Sequence, residues 1–274
     1  MELSLLKWIQ SFSSPFLDVL FQLITMLGEQ WAVVLILGFT YWVYDKQVGK
    51  ELAFTLLVNG LCNNILKGIF RLERPIGQEG IRTLRRHTAT GYSFPSGHSQ
   101  NAAALYLFPA RRKGGWLYLA AAAVSLGVGL SRLYLGVHYP KDVAAGLALG
   151  AASVFICPIL WRRFPCEKML AVLAGACLIP ALWLGQEDLY KAFGLLLGFW
   201  GGIAFERKFV GFTIPGSGAK KALRFLLGLA LCGGLAFVLK QGLPAAYLWD
   251  AARYTVLAFF ALGVYPLLFH RAGF

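Results

Sequence analysis

The sequence predicts an all-α protein, a polytopic integral membrane helical bundle of about nine spans, from three observations. Hydrophobic residues make up 58% of the 274 positions and charged residues only 14%. With a mean hydropathy of +0.61, the chain carries more apolar surface than one globular core can use, so a bilayer is its natural solvent. Apolar stretches recur at 31–44, 52–70, 101–110, 116–135, 143–161, 169–184, 189–204, 223–239 and 254–269. Basic residues gather in short clusters between them, among them Arg111-Arg112-Lys113, Arg162-Arg163 and Lys220-Lys221.

Several of these stretches fall short of the ~20 residues that carry a helix across ~30 Å of hydrocarbon, so they must extend into polar flanks or dip below the surface. The amino-terminal residues 1–27 mix Leu5, Leu6, Trp8, Phe12 and Phe16 with Glu2, Lys7, Gln10 and Asp18. That pattern suits a helix lying in the interface. A basic start, an apolar run and a small-residue cleavage site are lacking in order, which argues against a cleaved signal peptide. The five cysteines, Cys62, Cys157, Cys166, Cys177 and Cys232, form no C-x-x-C pair, and they read as small buried hydrophobes. Residues 71–94 form the longest polar interruption, and no internal repeat or low-complexity tract occurs.

If nine spans alternate from an outside amino terminus, one face collects Lys46, Lys50, the 111–113 cluster, Arg162, Arg163, Lys168, Arg207, Lys208, Lys220, Lys221, Arg224 and Arg271. The positive-inside rule makes that face cytoplasmic. Lys67, Arg71, Arg74, Arg82, Arg85, Arg86, Arg132 and Lys141 then fall on the outer face, where an anionic ligand explains them better than topology. A formal net charge of +13 could suggest nucleic acid. The charge forms no basic stripe interleaved with exposed aromatics, and no recognition motif is present, so nucleic acid is not an expected partner. Anionic headgroups account for the cytoplasmic clusters instead.

Three fragments carry chemistry: Lys67-x6-Arg74-Pro75, Pro95-Ser96-Gly97-His98, and Ser131-Arg132-x5-His138-x3-Asp142. Each is weak alone, but in this order, separated by apolar runs, they describe a phosphate-transfer site at a membrane surface. Phosphoryl transfer spreads negative charge over equatorial oxygens and calls for fixed donors and cations. Lys67, Arg74 and Arg132 supply them, Arg as a planar fork and Lys as a point charge. A single lysine near a helix end would as often be a snorkelling side chain; three cations on one face favour a ligand. Ser96-Gly97 opens a helix whose first amides favour anions, and Gly permits close approach of backbone to phosphate. An ordinary helix cap would be the better reading without His98 directly after it. His138 and Asp142, four residues apart, share a helical face, so the carboxylate can accept a hydrogen bond from Nδ1 and leave Nε2 to attack. His87 and His270 lack such a context and suit solvent or interface positions. Two imidazoles and a carboxylate could hold zinc, but three converging cations would repel it, so no metal and no cofactor is expected.

Together these residues resemble the type 2 phosphatidic acid phosphatase (PAP2) superfamily, which also contains glucose-6-phosphatases, sphingosine-phosphate phosphatases and vanadium haloperoxidases. No motif position departs from the pattern, which covers residues 67–142. Residues 28–46, with Tyr41-Trp42 and Asp45, are similar to the start of the nine-span glucose-6-phosphatase and sphingosine-phosphate phosphatase branch. The resemblance implies His138 as a nucleophile forming a phosphohistidine, Asp142 orienting it, and His98 as the general acid for the leaving oxygen. Lys67, Arg74, Ser96, Gly97 and Arg132 would bind phosphate, with vanadate a mimic rather than a cofactor. It divides the chain into an interfacial segment 1–27, a PAP2-like catalytic membrane core 28–163 and a C-terminal helical extension 164–274. The expected function is a lipid phosphatase acting on a phosphomonoester or diphosphate headgroup at the outer face of a bacterial plasma membrane. Aromatic residues Phe70, Tyr92, Phe94 and Tyr134 beside the motifs suggest a lipid tail held in the bilayer or interfacial anchors. A phosphotransferase using the same phosphohistidine, with a lipid hydroxyl as acceptor, is the alternative. An inactive lipid-binding or transport protein explains neither the paired histidines nor the cations.

Overall fold

The computed structural model describes residues 1–164, 166–214 and 216–273, apart from the side chains of Cys166 and Glu167; the expectation for Cys166 therefore lies outside the described residues. Among the described residues the ordered elements are all helical. In chain order they are α1 (Glu2–Ser11), α2 (Pro15–Met26), α3 (Gln30–Phe39), α4 (Lys46–Phe70), α5 (Gly97–Lys113), α6 (Leu117–Tyr134), α7 (Pro140–Arg163), α8 (Cys166–Leu184), α9 (Glu187–Phe205), α10 (Gly218–Gly242), α11 (Tyr247–Phe259) and α12 (Tyr265–Arg271). Among the described residues five helical segments are long and apolar enough to cross a membrane: α4, α6, α7, α10 and the segment Tyr247–Arg271. A sixth is reached if α2 and the run Gln30–Tyr44, bent by 45° at their junction, count as one span. The other three expected stretches, 101–110, 169–184 and 189–204, are helical, in α5, α8 and α9. Large exposed apolar side chains such as Leu119, Ile179, Trp183 and Leu226 fit an integral membrane protein, whose solvent is lipid.

Local chemistry sets the helix ends. The Ser14 hydroxyl accepts from Leu17 N at 3.3 Å with Pro15 at the first helical position, a pre-organised start. Arg111, Arg112 and Lys113 close α5 before Gly114 at φ 70°, and Arg162 and Arg163 close α7. Cations there complement the negative end of the helix dipole.

Contacts divide the chain into two compact units, one of residues 1–34 and 58–159, the other of residues 35–57 and 160–274. In the first, α5 and α6 pack together and α1 and α2 lie against α6. Gly146 of α7 lets that helix meet the α5 start: a Cβ there would sit 2.5 Å from the Ser96 carbonyl oxygen. Behind the α5 start lies an amide network. Asn63 donates to Gln100 Oε1 at 2.7 Å, and Gln100 donates to the Asn59 carbonyl and side-chain oxygens at 2.8 and 3.0 Å. Paired amides of this kind satisfy each other where water is excluded.

In the second unit, π-helical turns at Thr40–Tyr44, Glu206–Val210 and Phe260–Val264 interrupt the helices. Tyr41 and Trp42 donate to the Leu262 and Ala261 carbonyls at 2.8 and 2.9 Å. Glu206, 1% exposed, accepts from Lys46 at 2.9 Å and Lys50 at 2.7 Å. Arg224 is also buried, donating to the Trp42 carbonyl at 3.0 Å and stacking 4.5 Å over the Phe269 ring. These three basic residues therefore differ from the headgroup-facing cations expected from sequence: Lys46, partly buried, and Lys50 and Arg224, buried, find their partners within the unit.

Candidate active site

The three sequence motifs meet within the first unit. Asp142, in the first turn of α7, is fully buried. Its Oδ2 accepts from the Tyr139 amide at 2.8 Å and from the Ser93 hydroxyl, and it lies 3.4 Å from His138 Nδ1. His138, 1% exposed, stands on the short connection between α6 and α7. Arg74 Nη1 lies 2.9 Å from His138 Nε2. A guanidinium can only donate, so Nε2 must accept and the ring proton sits on Nδ1, toward Asp142. This is the tautomer a nucleophilic Nε2 requires. Burial, followed by the charges of Arg74, Arg132 and Lys67, holds the His138 pKa well below the ordinary imidazole value.

Arg74 is held by a ring of carbonyls, from Thr90 at 2.7 Å, Gly91 at 3.0 Å, Tyr92 at 3.1 Å and Val137 at 3.0 Å. Burial lowers its pKa to about 10, so it stays cationic at neutral pH. Lys67, in the last turn of α4, donates to the Tyr92 carbonyl. Arg132 is fully buried and donates to Thr25 Oγ1 at 2.8 Å, with Thr88 Oγ1 at 3.5 Å. Its Nε and Nη2 have no hydrogen-bond partner among the described residues. Buried donors without acceptors are costly, and an oxyanion would satisfy them.

Ser96 caps α5: its hydroxyl accepts from the Ser99 hydroxyl at 3.0 Å and its amide donates to the Asp142 carbonyl at 2.9 Å. That second bond ties the α5 start to the α7 start. The amides of Gly97 and His98, in the first turn, have no acceptor within their own helix and suit an anion. His98 Nε2 is buried without a hydrogen bond, 3.9 Å from Glu29 Oε1. All eight expected site residues thus fall in one unit, and the hydrogen bonds above join His138, Asp142, Arg74 and Ser96 directly.

Several contributors were not legible. Ser93, Thr25, Thr88, Glu29 and the Tyr92 carbonyl belong to no motif; Ser93 lies only two residues before Pro95, the one hint available. Arg82 and Arg85, attributed above to an anion, are instead held by carboxylates: Arg82 pairs with Asp18 and Arg85 with Glu29, each at 2.6 Å. Tyr134 is buried, its ring tilted 32° against that of Phe21 at 4.4 Å, so it packs the unit rather than facing a lipid tail. Phe70 and Phe94 form an edge-on pair at 5.0 Å, with Phe70 half exposed. His87 and His270 are exposed, as expected.

Comparison with known proteins adds a family. Residues 49–166 match the PAP2 superfamily model, and residues 190–274 match the model for the PAP2 superfamily phosphatase transmembrane extension. A lipid A 1-phosphatase of Rhizobium johnstonii is 34% identical over 44% of this chain and 51% of its own. A probable sphingosine-1-phosphate phosphatase of Dictyostelium discoideum is 30% identical over 60% of this chain and 43% of its own. The crystal structure of Aquifex aeolicus LpxE is similar with a TM-score of 0.50 and 26% identity, covering 57% of this chain and 93% of that one. The chain spans about half the length of the curated relatives it matches.

Proposed function

We propose, starting from a chain that belongs to the PAP2 superfamily, that it is a membrane lipid phosphatase. It hydrolyses a phosphomonoester or diphosphate headgroup through a phosphohistidine, without a metal, at the outer membrane face. The single observation that carries this reading is the pairing of an accepting His138 Nε2 with a cationic cradle that includes the unsatisfied donors of Arg132. A negatively charged, tetrahedral ligand answers both.

In the proposed reaction the Nε2 lone pair of His138 forms the bond to phosphorus while the bond to the leaving oxygen breaks. Arg74, Arg132, Lys67 and the amides of Gly97 and His98 stabilise the charge on the equatorial oxygens. His98 gives its proton to the leaving oxygen. Asp142 stabilises the positive charge that grows on the His138 ring, and Ser93 and the Tyr139 amide hold Asp142 in place. Water, deprotonated by His98, then attacks the phosphohistidine and releases phosphate and His138. Relatives named as phosphatases of lipid A and of sphingosine phosphate support a lipid headgroup as substrate. Segments 1–27, 28–163 and 164–274 as interfacial, catalytic and accessory parts, and a total of about nine spans, belong to the same proposal.

The test is phosphate release by the purified chain from a panel of phospholipids and polyprenyl diphosphates, with alkaline detergent quenching to trap base-stable phosphohistidine. Wild-type protein should release phosphate and accumulate the adduct; His138→Ala should do neither while keeping its elution profile. Near-normal release by His138→Ala would refute the mechanism. For orientation, cysteines placed at Gly80 and Lys113 in a cysteine-depleted background should label oppositely with an impermeant reagent on intact cells. Labelling of Lys113→Cys with protection of Gly80→Cys would invert the assignment.

A further inference from the structure

We propose that Glu29, clamped by Arg85, is the positioning residue that keeps His98 in its proton-donating form, which tunes the site to substrates with a poor, alkoxide leaving group: lipid phosphomonoesters rather than diphosphates. The inference rests on the reading of His98 as the general acid.

The geometry starts from the junction of α2 and α3. Gly28 is pressed onto the start of α5: a Cβ there would lie 2.6 Å from the His98 carbonyl oxygen and 2.9 Å from a Val128 methyl. Only glycine tolerates that approach, and it brings the next residue, Glu29, alongside the His98 ring. The Glu29 side chain is 12% exposed, with Oε1 2.6 Å from Arg85 Nη2 and 3.9 Å from His98 Nε2. Arg85 has φ 52°, a left-handed conformation uncommon for a residue with a side chain, held only where surrounding structure compensates. The Tyr106 hydroxyl, on α5, donates to the Leu27 carbonyl at 3.1 Å, a second tie between the junction and that helix.

The charges around His98 give Glu29 its role. Arg132 from α6 and Arg74 from the 71–94 loop face it as cations, and His138 lies in the same charged cluster. All of these oppose a proton on His98, as does burial. Glu29 is the carboxylate that favours it, and Arg85 fixes Glu29 as the ionised form. Once a substrate phosphate offsets the charge of Arg74 and Arg132, the carboxylate remains to stabilise the imidazolium. At 3.9 Å the contact is longer than a hydrogen bond, as catalytic contacts often are before substrate is bound.

The chemical consequence concerns the leaving group. When His138 Nε2 bonds to phosphorus, the electron pair of the broken P–O bond goes to the leaving oxygen. An alkoxide must take the His98 proton to depart. A phosphate leaving from a diphosphate, or a nitrophenolate, is stable as the anion and needs little of it. A carboxylate that loads that proton therefore serves the departure of an alkoxide far more than that of a phosphate.

The experiment measures the full-length protein in detergent micelles on three substrates: a long-chain alkyl phosphate, the corresponding alkyl diphosphate and 4-nitrophenyl phosphate. Glu29→Gln should lower kcat/KM, which reports departure of the leaving group and not the later hydrolysis of the phosphohistidine that all three substrates share, by ~10-fold or more on the alkyl phosphate and by less than ~3-fold on the other two, and should move the alkaline limb of the alkyl profile to lower pH. His98→Ala should show the same selectivity, and adding Glu29→Gln to it should cost nothing further. Equal loss on all three substrates by Glu29→Gln, beside a selective His98→Ala, overturns the role of Glu29 and leaves that of His98 standing. A His98→Ala protein without selectivity overturns the acid reading and this proposal with it. Glu29→Asp, which keeps the charge one methylene further back, decides the matter if the Gln variant does not fold. It should slow the alkyl phosphate alone, and unchanged turnover on all three overturns the proposal.

Discussion

Asp142→Asn isolates the charge behind the proposed nucleophile, His138, without changing the shape of the side chain. Asp142 is completely buried, and its Oδ2 lies 3.4 Å from His138 Nδ1. When Nε2 bonds to phosphorus, the His138 ring becomes cationic at that separation. Opposite charges about 4 Å apart interact by ~4 kcal/mol at an effective dielectric of ~20. Each ~1.4 kcal/mol in a barrier is tenfold in rate, so removing the charge predicts a loss of ~10³-fold in kcat. The Ser93 hydroxyl and Tyr139 amide keep an oxygen to donate to, so the fold should survive. The assay is phosphate release under substrate saturation, with monodispersity and melting temperature as controls. If Asp142→Asn, folded as wild type, kept its rate to within ~10-fold, the carboxylate would not be stabilising a cationic His138 and the phosphohistidine route would fall.

Two further outcomes follow from the same charges. Because burial, with Arg74 next, depresses the His138 pKa below 6.5, the ring should remain neutral and Nδ1-protonated as pH falls through that value. ¹⁵N-histidine spectra, assigned with His138→Ala, should report that tautomer at pH ~6, where an ordinary imidazole is mostly charged, and an imidazolium there would contradict the site as described. If fixed cations rather than an ion stabilise the transition state, EDTA should leave turnover unchanged while orthovanadate inhibits and raises the melting temperature by mass action. Activity lost to EDTA and restored only by a divalent metal would require His98, His138 and Asp142 to be reassigned as ligands.

What could be read from the sequence and what could not differ for a physical reason. Membrane helices announce themselves by length and apolarity, so six of the nine expected stretches sit in segments that meet a span's requirements, the bent α2–α3 pair included. The meeting of the motif residues was legible because local spacing governs it: a helix start takes Ser96-Gly97-His98 in sequence, and a shared face takes His138 and Asp142 four apart. The residues that hold these groups carry no such spacing. Thr25 reaches Arg132 across 107 positions, Glu29 pairs with Arg85 across 56, and Ser93 reaches Asp142 across 49. Each is an ordinary polar residue whose role exists only once packing brings it there. The same applies to Arg85 and Arg82, whose positive charge alone pointed to an anion, while the structure pairs them with Glu29 and Asp18. Residues 1–27 illustrate the point most fully. Their amphipathic pattern reads as a helix resting in the interface, and the first unit uses the same stretch: Gln10 bridges the Arg82 and Tyr134 carbonyls at 2.7 and 2.8 Å, Asp18 pairs with Arg82 at 2.6 Å and Thr25 accepts from Arg132 at 2.8 Å. Gln10 and Asp18, two of the polar residues that make the segment look interfacial, are thus contacts within that unit.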